Sequence, residues 1–291
     1  MALAHFGLDD SALLGKGGQS RVYALDGTRV LRLYRAETHP RFAQALAAFY
    51  AALDVPPLPF AIPQIHETGT IDGVLYAIEA RLAGTPLTDA FPTLDAPSRS
   101  HAVMGFLQAA AALRRIRHPQ TEFGELLTAD PIRRASWRDF LLAKGEARAR
   151  ECAAWLRQDV PDLDRALARY RALVAQVPDR TPGLVHGDYY GANVMVARDG
   201  TVAAVIDFSP LSLIGDGRLD VIGARHALEA LGIAPHDKVW ADDFLRQAFA
   251  PDGQDLFDAY SGYFALLHAG AREEVPPLYR WCVETLNALS A

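Results

Sequence analysis

Cysteine is almost missing from the chain. Its 291 residues include two, Cys152 and Cys282, which stand far apart and outside any CxxC or Cys/His spacing. That excludes a disulfide framework and a zinc ribbon, and it fits a reduced, cytoplasmic setting. No uncharged run reaches the ~18 residues a membrane helix needs, and MALAHFGLDD lacks the basic and apolar segments of a signal sequence. A soluble intracellular protein is expected. Excess positive charge is missing too. The net charge is −6, and residues 211–291 hold twelve acidic against six basic residues, so the rest of the chain balances. This argues against nucleic acid as a partner and leaves two readings of the acidic third: recognition of a cationic small molecule, or solvated helix faces.

Internal repeats and low-complexity tracts are also lacking. Half of the residues are hydrophobic, enough for a large core, and the length suits one large domain or two lobes. Early in the chain, RVYAL and TRVLRLY are short β-branched and aromatic runs joined by Asp26-Gly27, a hairpin signal. HPRFAQALAAFYAAL then spaces its apolar residues as a helix does. The Pro-rich VPPLPFAIP at 55–63 suits neither a helix nor a central strand. PQIHETG and GVLYAIEARL read as two further strands. Beyond Gly84 the pattern is helical over 96–117, 137–157, 161–176, 217–231, 238–249, 254–269 and 277–289, broken only by short strands within 184–207. The order predicts an α+β fold, with a small β-rich lobe over residues 1–82 and a larger helical lobe over 83–291.

GKGGQS, residues 15–20, does not match GxxxxGK[ST]. A dinucleotide-binding loop would have to open a helix, whereas Arg21–Leu25 alternates as a strand. Gly15, Gly17 and Ser20 instead have the G-x-G-x-x-S spacing of a lid between antiparallel strands, whose backbone N–H groups cover nucleotide phosphates. The next strand places Val30 and Arg32 on one face, with Arg32 where a kinase strand carries its phosphate-gripping Lys. The usual carboxylate partner would sit on the following helix, yet that helix offers Gln44, with Glu37 only near its start.

The segment LVHGDYYGANVMVARDGTVAAVIDF, residues 184–208, is the most informative. Phosphoryl transfer needs a carboxylate to orient the attacking hydroxyl and two oxygen ligands for magnesium. Asp188 follows His186 as H-x-D, Asn193 lies five residues on, and Asp207 ends the apolar run VAAVI. The D-x-x-x-x-N interval matches a kinase catalytic loop. NVMV and TVAAVI flank Arg198-Asp199-Gly200 as a hairpin, which would bring Asn193 and Asp207 to one end.

With these motifs the sequence resembles the aminoglycoside phosphotransferase and choline kinase superfamily, whose members share the protein-kinase-like bilobal fold. The resemblance covers most of the chain: the G-x-G-x-x-S hairpin, VLRLYR, GVLYAIEARLAGTPL as the hinge between lobes, and HGDYYGANVMV, VIDF and GDGRLDV. It implies a small-molecule kinase that uses ATP or GTP and Mg²⁺. Asp188 would be the catalytic base and Asn193 and Asp207 the metal ligands. Gly15, Gly17, Ser20, Arg32 and the hinge-strand Glu79 would serve the nucleotide. Asp216 and Asp220 would form the G-D-x-x-x-D element, with Asp220 and His186 organising the loop. Arg32 in place of Lys, the missing helix Glu, and Tyr189-Tyr190-Gly191-Ala192 in place of Leu-His-Pro-Gly depart from the pattern.

A protein kinase is not expected, because Asp207 and Gly215-Asp216 lie too close for an activation loop and no A-P-E follows. The competing class is a non-catalytic nucleotide-binding or regulatory protein. Acceptors across the superfamily include aminoglycosides, macrolides, choline, homoserine and sugar amines. Asp237, Asp242, Asp243, Asp252, Asp255, Asp258, Glu273 and Glu274 either recognise a polyamine-like acceptor or face solvent. Oligomeric state has no signature in the sequence.

Overall fold

Hairpins signalled by Asp-Gly pairs build the first third of the protein. The computed structural model describes residues 2–17, 20–178 and 181–290. After α1 (Ala2–His5), the strands β1 (Leu13–Lys16), β2 (Ser20–Ala24) and β3 (Arg29–Tyr34) lead into α2 (Phe42–Ala52). Next come β4 (Ile65–Ile71) and β5 (Val74–Ala80), which complete an antiparallel sheet in the order β1-β2-β3-β5-β4. The Asp26 carboxylate closes the β2–β3 turn by accepting from Thr28 N and Arg29 N, both at 2.8 Å. At the β4–β5 turn Asp72 and Gly73 have φ of 51° and 77°, the left-handed pair that matches the right-handed twist of the strands. Ala43, Leu46 and Phe49 form the buried face of α2, the helical spacing seen in the sequence.

Register places the first important pair. Val30 faces Glu79 and Arg32 faces Ala77 across β3 and β5. Residues two apart on a strand share a face, so Arg32 and Glu79 become diagonal neighbours on one side of the sheet.

The Pro-rich connection runs as a strap to the rest of the molecule. Asp54 and Arg117 exchange backbone hydrogen bonds of 2.9 and 3.0 Å, while Ala61 donates to Ala203 O and accepts from Val205 N. Proline's missing donors are no handicap there, because only single bridges form.

Beyond Gly84 the structure holds more strand than the sequence pattern indicates. β6 (Thr85–Pro86) precedes α3 (Leu87–Ala90) and α4 (Ala96–Leu113), and β7 (Phe123–Glu125) and β8 (Arg133–Arg134) precede α5 (Trp137–Glu151), α6 (Ala153–Asp159) and α7 (Leu163–Val174). β9 (Gly183–Val185), β10 (Val194–Val196), β11 (Val202–Val205) and β12 (Leu213–Gly215) are followed by α8 (Arg218–Ala230), α9 (Pro235–Phe249), α10 (Gly253–His268) and α11 (Pro276–Ser290). Strands of two or three residues show no periodicity and exist only through their pairing. The pairing matters for the site: Leu213 lies opposite Val185 and Gly215 opposite Gly183, so the start of β9 sits beside the Gly215-Asp216 turn and its end, which leads into the His186 loop, beside the start of β12.

Asp95 and Ser136 cap α4 and α5 by accepting from Ser98 N and Asp139 N. One core joins α5, α7, α10 and α11 around the fully buried Trp137, Tyr170, Tyr260 and Tyr263. A second packs α4 against the β10–β11 hairpin and α8. The architecture is α+β, with a small β-rich N-terminal lobe and a larger helical C-terminal lobe. Among the described residues no helix is long and apolar enough to cross a membrane. Cys152 and Cys282 are both buried and unpaired.

Candidate active site

The loop after β9 is held from beneath by buried groups. Asp220, near the start of α8, accepts from His186 N at 2.7 Å and Gly187 N at 2.9 Å. Burial pushes its carboxyl up to about 7, against those two bonds, and the Asp188 charge adds to the rise. His186 bridges onward: its Nδ1 accepts from Asp188 N at 3.3 Å, and Nε2 therefore carries the proton donated to Ile206 O at 2.8 Å. Burial holds this imidazole neutral, with its pKa down at about 4. Gly187 adopts φ 78°, and a Cβ there would meet Leu211 O at 2.1 Å, so no other residue fits. His186 and Asp220 thus organise the loop, as the sequence suggested.

Asp188, Asn193 and Asp207 are brought to one place. Asn193 Nδ2 donates to Asp188 O at 2.9 Å and to Asp188 Oδ2 at 3.4 Å, which leaves its Oδ1 free to face a cation. The β10–β11 hairpin pairs Val194 with Val205, and Ile206 N donates to Asn193 O, so Asp207 emerges beside Asn193. Asp207 has φ 61°, a left-handed conformation that turns the chain sharply at the strand end. Burial, then the nearby Asp207, raise the Asp188 carboxyl to about 6. It is ionised at neutral pH yet closer to proton-accepting strength than an ordinary aspartate.

Arg32 joins the two halves. Its Nε donates to Glu79 Oε1 at 2.7 Å, Nη2 reaches Glu79 Oε2 at 3.3 Å and Asp207 Oδ1 at 2.9 Å, and Nη1 donates to Ser20 Oγ at 3.0 Å. Burial opposes the charge, but Glu79 and Asp207 together hold the guanidinium pKa above its ordinary value. The planar fork grips Glu79 with two N–H groups and still reaches Asp207 and Ser20, a fixed geometry that a point-charge ammonium lacks. The helix lacks a carboxylate for Arg32, as its sequence indicates: Gln44 is exposed on α2 and Glu37 lies near Arg35, while the partner comes from the neighbouring strand as Glu79. Glu79 borders the cavity with both carboxylate oxygens committed to Arg32.

These groups line a cavity of about 720 Å³. Gly17 and Ser20 reach it, whereas Gly15 stays on exposed β1 outside the lining; Gly18 and Gln19 lie outside the described residues. Of the eight acidic residues singled out in the C-terminal third, only Glu274 belongs to the wall. Asp242, Asp252 and Asp255 pair with Arg225, Arg218 and Arg169, Asp243 pairs with Arg246, and Asp237 is buried beside His236. Asp216 is buried in a network with Arg218 and Tyr260, where the arginine's bonds and charge outweigh burial and lower its pKa. That is a structural anchor behind the loop.

The sequence profile of the phosphotransferase enzyme family matches residues 12–257. The chain belongs to that family. It is a small-molecule phosphotransferase, and its fold is found in solved structures of low identity. A thermostable mutant of the aminoglycoside phosphotransferase APH(4)-Ia superposes with TM-score 0.68 at 19% identity, covering 96% of this chain and 92% of that one. A putative aminoglycoside phosphotransferase from Ralstonia eutropha JMP134 gives 0.59 at 14%, covering 100% and 97%. A GDP and kanamycin complex of APH(2")-IIIa gives 0.52 at 16%, covering 95% and 91%. No curated protein matches the sequence.

In this phosphotransferase several site residues escape motif reading. Tyr189 is buried and donates to Phe106 O at 2.8 Å, fixing the loop to α4, while Tyr190 is exposed and lines the cavity. Phe208 packs on His186, Phe49 and Tyr50, with ring centroids 4.6, 5.6 and 5.8 Å apart, so α2 touches the Asp207 segment through aromatic contact. The YY dipeptide was visible as a departure, but the face each ring takes follows only from the loop's geometry.

Proposed function

We propose that the protein transfers the γ-phosphoryl group of a nucleoside triphosphate, ATP or GTP, to a hydroxyl of a small molecule. The observation that carries this reading is the convergence of Asp188, Asn193 and Asp207 beneath Arg32 at one cavity. The lobe of residues 1–82 binds the nucleotide, with Gly17 of the glycine-rich turn above its phosphates and Arg32 gripping their oxygens. The lobe of residues 83–291 carries the catalytic loop and the acceptor.

The donor set fits magnesium: Asn193 Oδ1 and the Asp207 carboxylate are hard oxygen ligands, and Mg²⁺ is commonly held by one or two such groups with phosphate and water completing its shell. Among the described residues no cluster of three or more His, Cys, Asp or Glu is present. Bound there, Mg²⁺ would neutralise phosphate charge. Asp188 orients the acceptor hydroxyl and accepts its proton as the oxygen attacks phosphorus. Solved neighbours support the nucleotide assignment, one as a GDP and kanamycin complex and another as a streptomycin–ATP ternary complex.

The test is transfer of labelled γ-phosphate from ATP and GTP to a panel of aminoglycosides, macrolides, choline, homoserine and sugar amines, extended to neutral alcohols. A labelled, magnesium-dependent product supports the reading. Tight Mg·nucleotide binding with no transfer to any hydroxyl would favour a non-catalytic nucleotide-binding protein, and no nucleotide binding would refute the assignment.

A further inference from the structure

Past Tyr190 the cavity continues between α8, α10 and the start of α11. Ala227, Leu231, Phe264, Val275 and Leu278 form this wall, and Glu274, at the exposed rim, is its one carboxylate. Arg32, on the opposite side of the cavity, is the single Lys or Arg among the described lining residues. A polyamine brings several ammonium groups, which would lose water against a wall that offers the one carboxylate of Glu274 to replace it. Asp242, Asp252 and Asp255 are spent on arginines elsewhere.

Two histidines interrupt the apolar surface. His226 Nδ1 and His268 Nε2 are buried and have no hydrogen-bond partner among the described residues. His226 packs on Trp281 at 4.8 Å and His268 on Phe264 at 4.2 Å, while Phe264 meets Trp281 edge-on at 5.5 Å. The rings are therefore fixed in place. The His268 ring reaches the Gly187 backbone, one residue before Asp188, so this wall is continuous with the catalytic loop. Burial lowers both imidazole pKa values, that of His268 to about 4, so neither ring brings a charge to this wall.

Resting on the phosphotransfer reading, we propose that the acceptor is an uncharged, largely apolar alcohol. Its apolar body lies on Phe264, Leu278 and Ala227, and its hydroxyl meets Asp188. In the transfer step the acceptor oxygen forms a bond to the γ-phosphorus. The bond from that phosphorus to the β,γ-bridging oxygen breaks, the nucleoside diphosphate leaves with the electron pair, and the hydroxyl proton passes to Asp188.

The experiment compares vicinal diols of increasing chain length, butanediol to decanediol, with kanamycin and streptomycin as acceptors, while calorimetry follows Mg·ATP and Mg·GTP binding separately. For the diols, KM should fall about fourfold per added methylene until the wall is covered, and the two aminoglycosides should not be phosphorylated. Phe264→Ala should flatten the chain-length dependence while the Mg·nucleotide Kd stays the same, and Leu278→Ala does the same work if the first variant fails to fold. Higher kcat/KM for either aminoglycoside, or a KM indifferent to chain length, overturns the proposal. If no acceptor turns over, decanediol that fails to bind the Mg·ADP complex also overturns it. Absence of Mg·nucleotide binding would instead fall on the phosphotransfer reading, and this inference would fall with it.

Discussion

Glu79→Gln removes one charge and almost no volume, which makes it a clean probe of how the site holds its cation. The Arg32 and Glu79 side chains are only 14% and 7% exposed, and their contact is 2.7 Å. Removing one partner of a buried pair costs about 3–5 kcal/mol, because the other charge stays buried. Asp207 remains 2.9 Å from Arg32 and is 45% exposed, so part of the charge is still compensated and the lower end, about 3 kcal/mol, is expected. At about 2–4 °C per kcal/mol for a chain of this size, the midpoint should drop by about 6–12 °C. The loosened guanidinium should also cost about 10² in kcat/KM, the penalty for a misplacement of about 1 Å at a reacting centre. A double variant, Arg32→Met with Glu79→Leu, should recover most of the stability and none of the activity, separating the two effects. Gln44→Ala on α2 should stay within about 0.5 kcal/mol of the parent. Urea and thermal unfolding with steady-state transfer assays measure all three. A Glu79→Gln protein with parental midpoint and parental rate would show that Glu79 does not hold Arg32.

Asp207→Ala should abolish the magnesium dependence of nucleotide binding; titrations that give one affinity with and without the ion would remove it from the ligand set. Asp220→Ala leaves two buried N–H groups without an acceptor and should cost about 2–4 kcal/mol with a matching loss of kcat, read from denaturation and turnover of the same preparation. His186 is neutral in the fold, with its pKa depressed to about 4. Its contribution is therefore complete above the unfolded value of about 6.5 and is lost as pH falls toward 4, a difference of about 3 kcal/mol. Stability of the parent minus that of His186→Asn should shrink over that window, and a difference constant with pH would contradict the burial argument.

What could be read from sequence follows chain distance. Asp188, Asn193 and Asp207 were legible because one strand, one loop and one hairpin join them, so spacing alone fixes their meeting. Glu79 stands 47 residues from Arg32 and reaches it through strand register, which no local pattern encodes. The absence of a helix carboxylate was legible; that the sheet supplies one in its place was not. β7 and β12 were missed because three-residue strands carry no period, yet their pairing sets the Asp216 turn behind β9. The acidic C-terminal third left open a cationic acceptor or solvated helix faces, because charge counts do not say which face a carboxylate takes. Arg169, Arg218 and Arg225 were the partners that composition left unseen.

Turnover and nucleotide binding measured side by side in Asp188→Asn test the central claim most directly. The substitution keeps the hydrogen-bonding shape next to Asn193 and removes the proton acceptor. Phosphate transfer should fall by about 10²–10⁴, while the Mg·nucleotide Kd stays within about twofold of the parent, inside the ±0.5 kcal/mol of a neutral substitution. Transfer that persists at the parental rate would show that Asp188 is not the base and that the chemistry lies elsewhere.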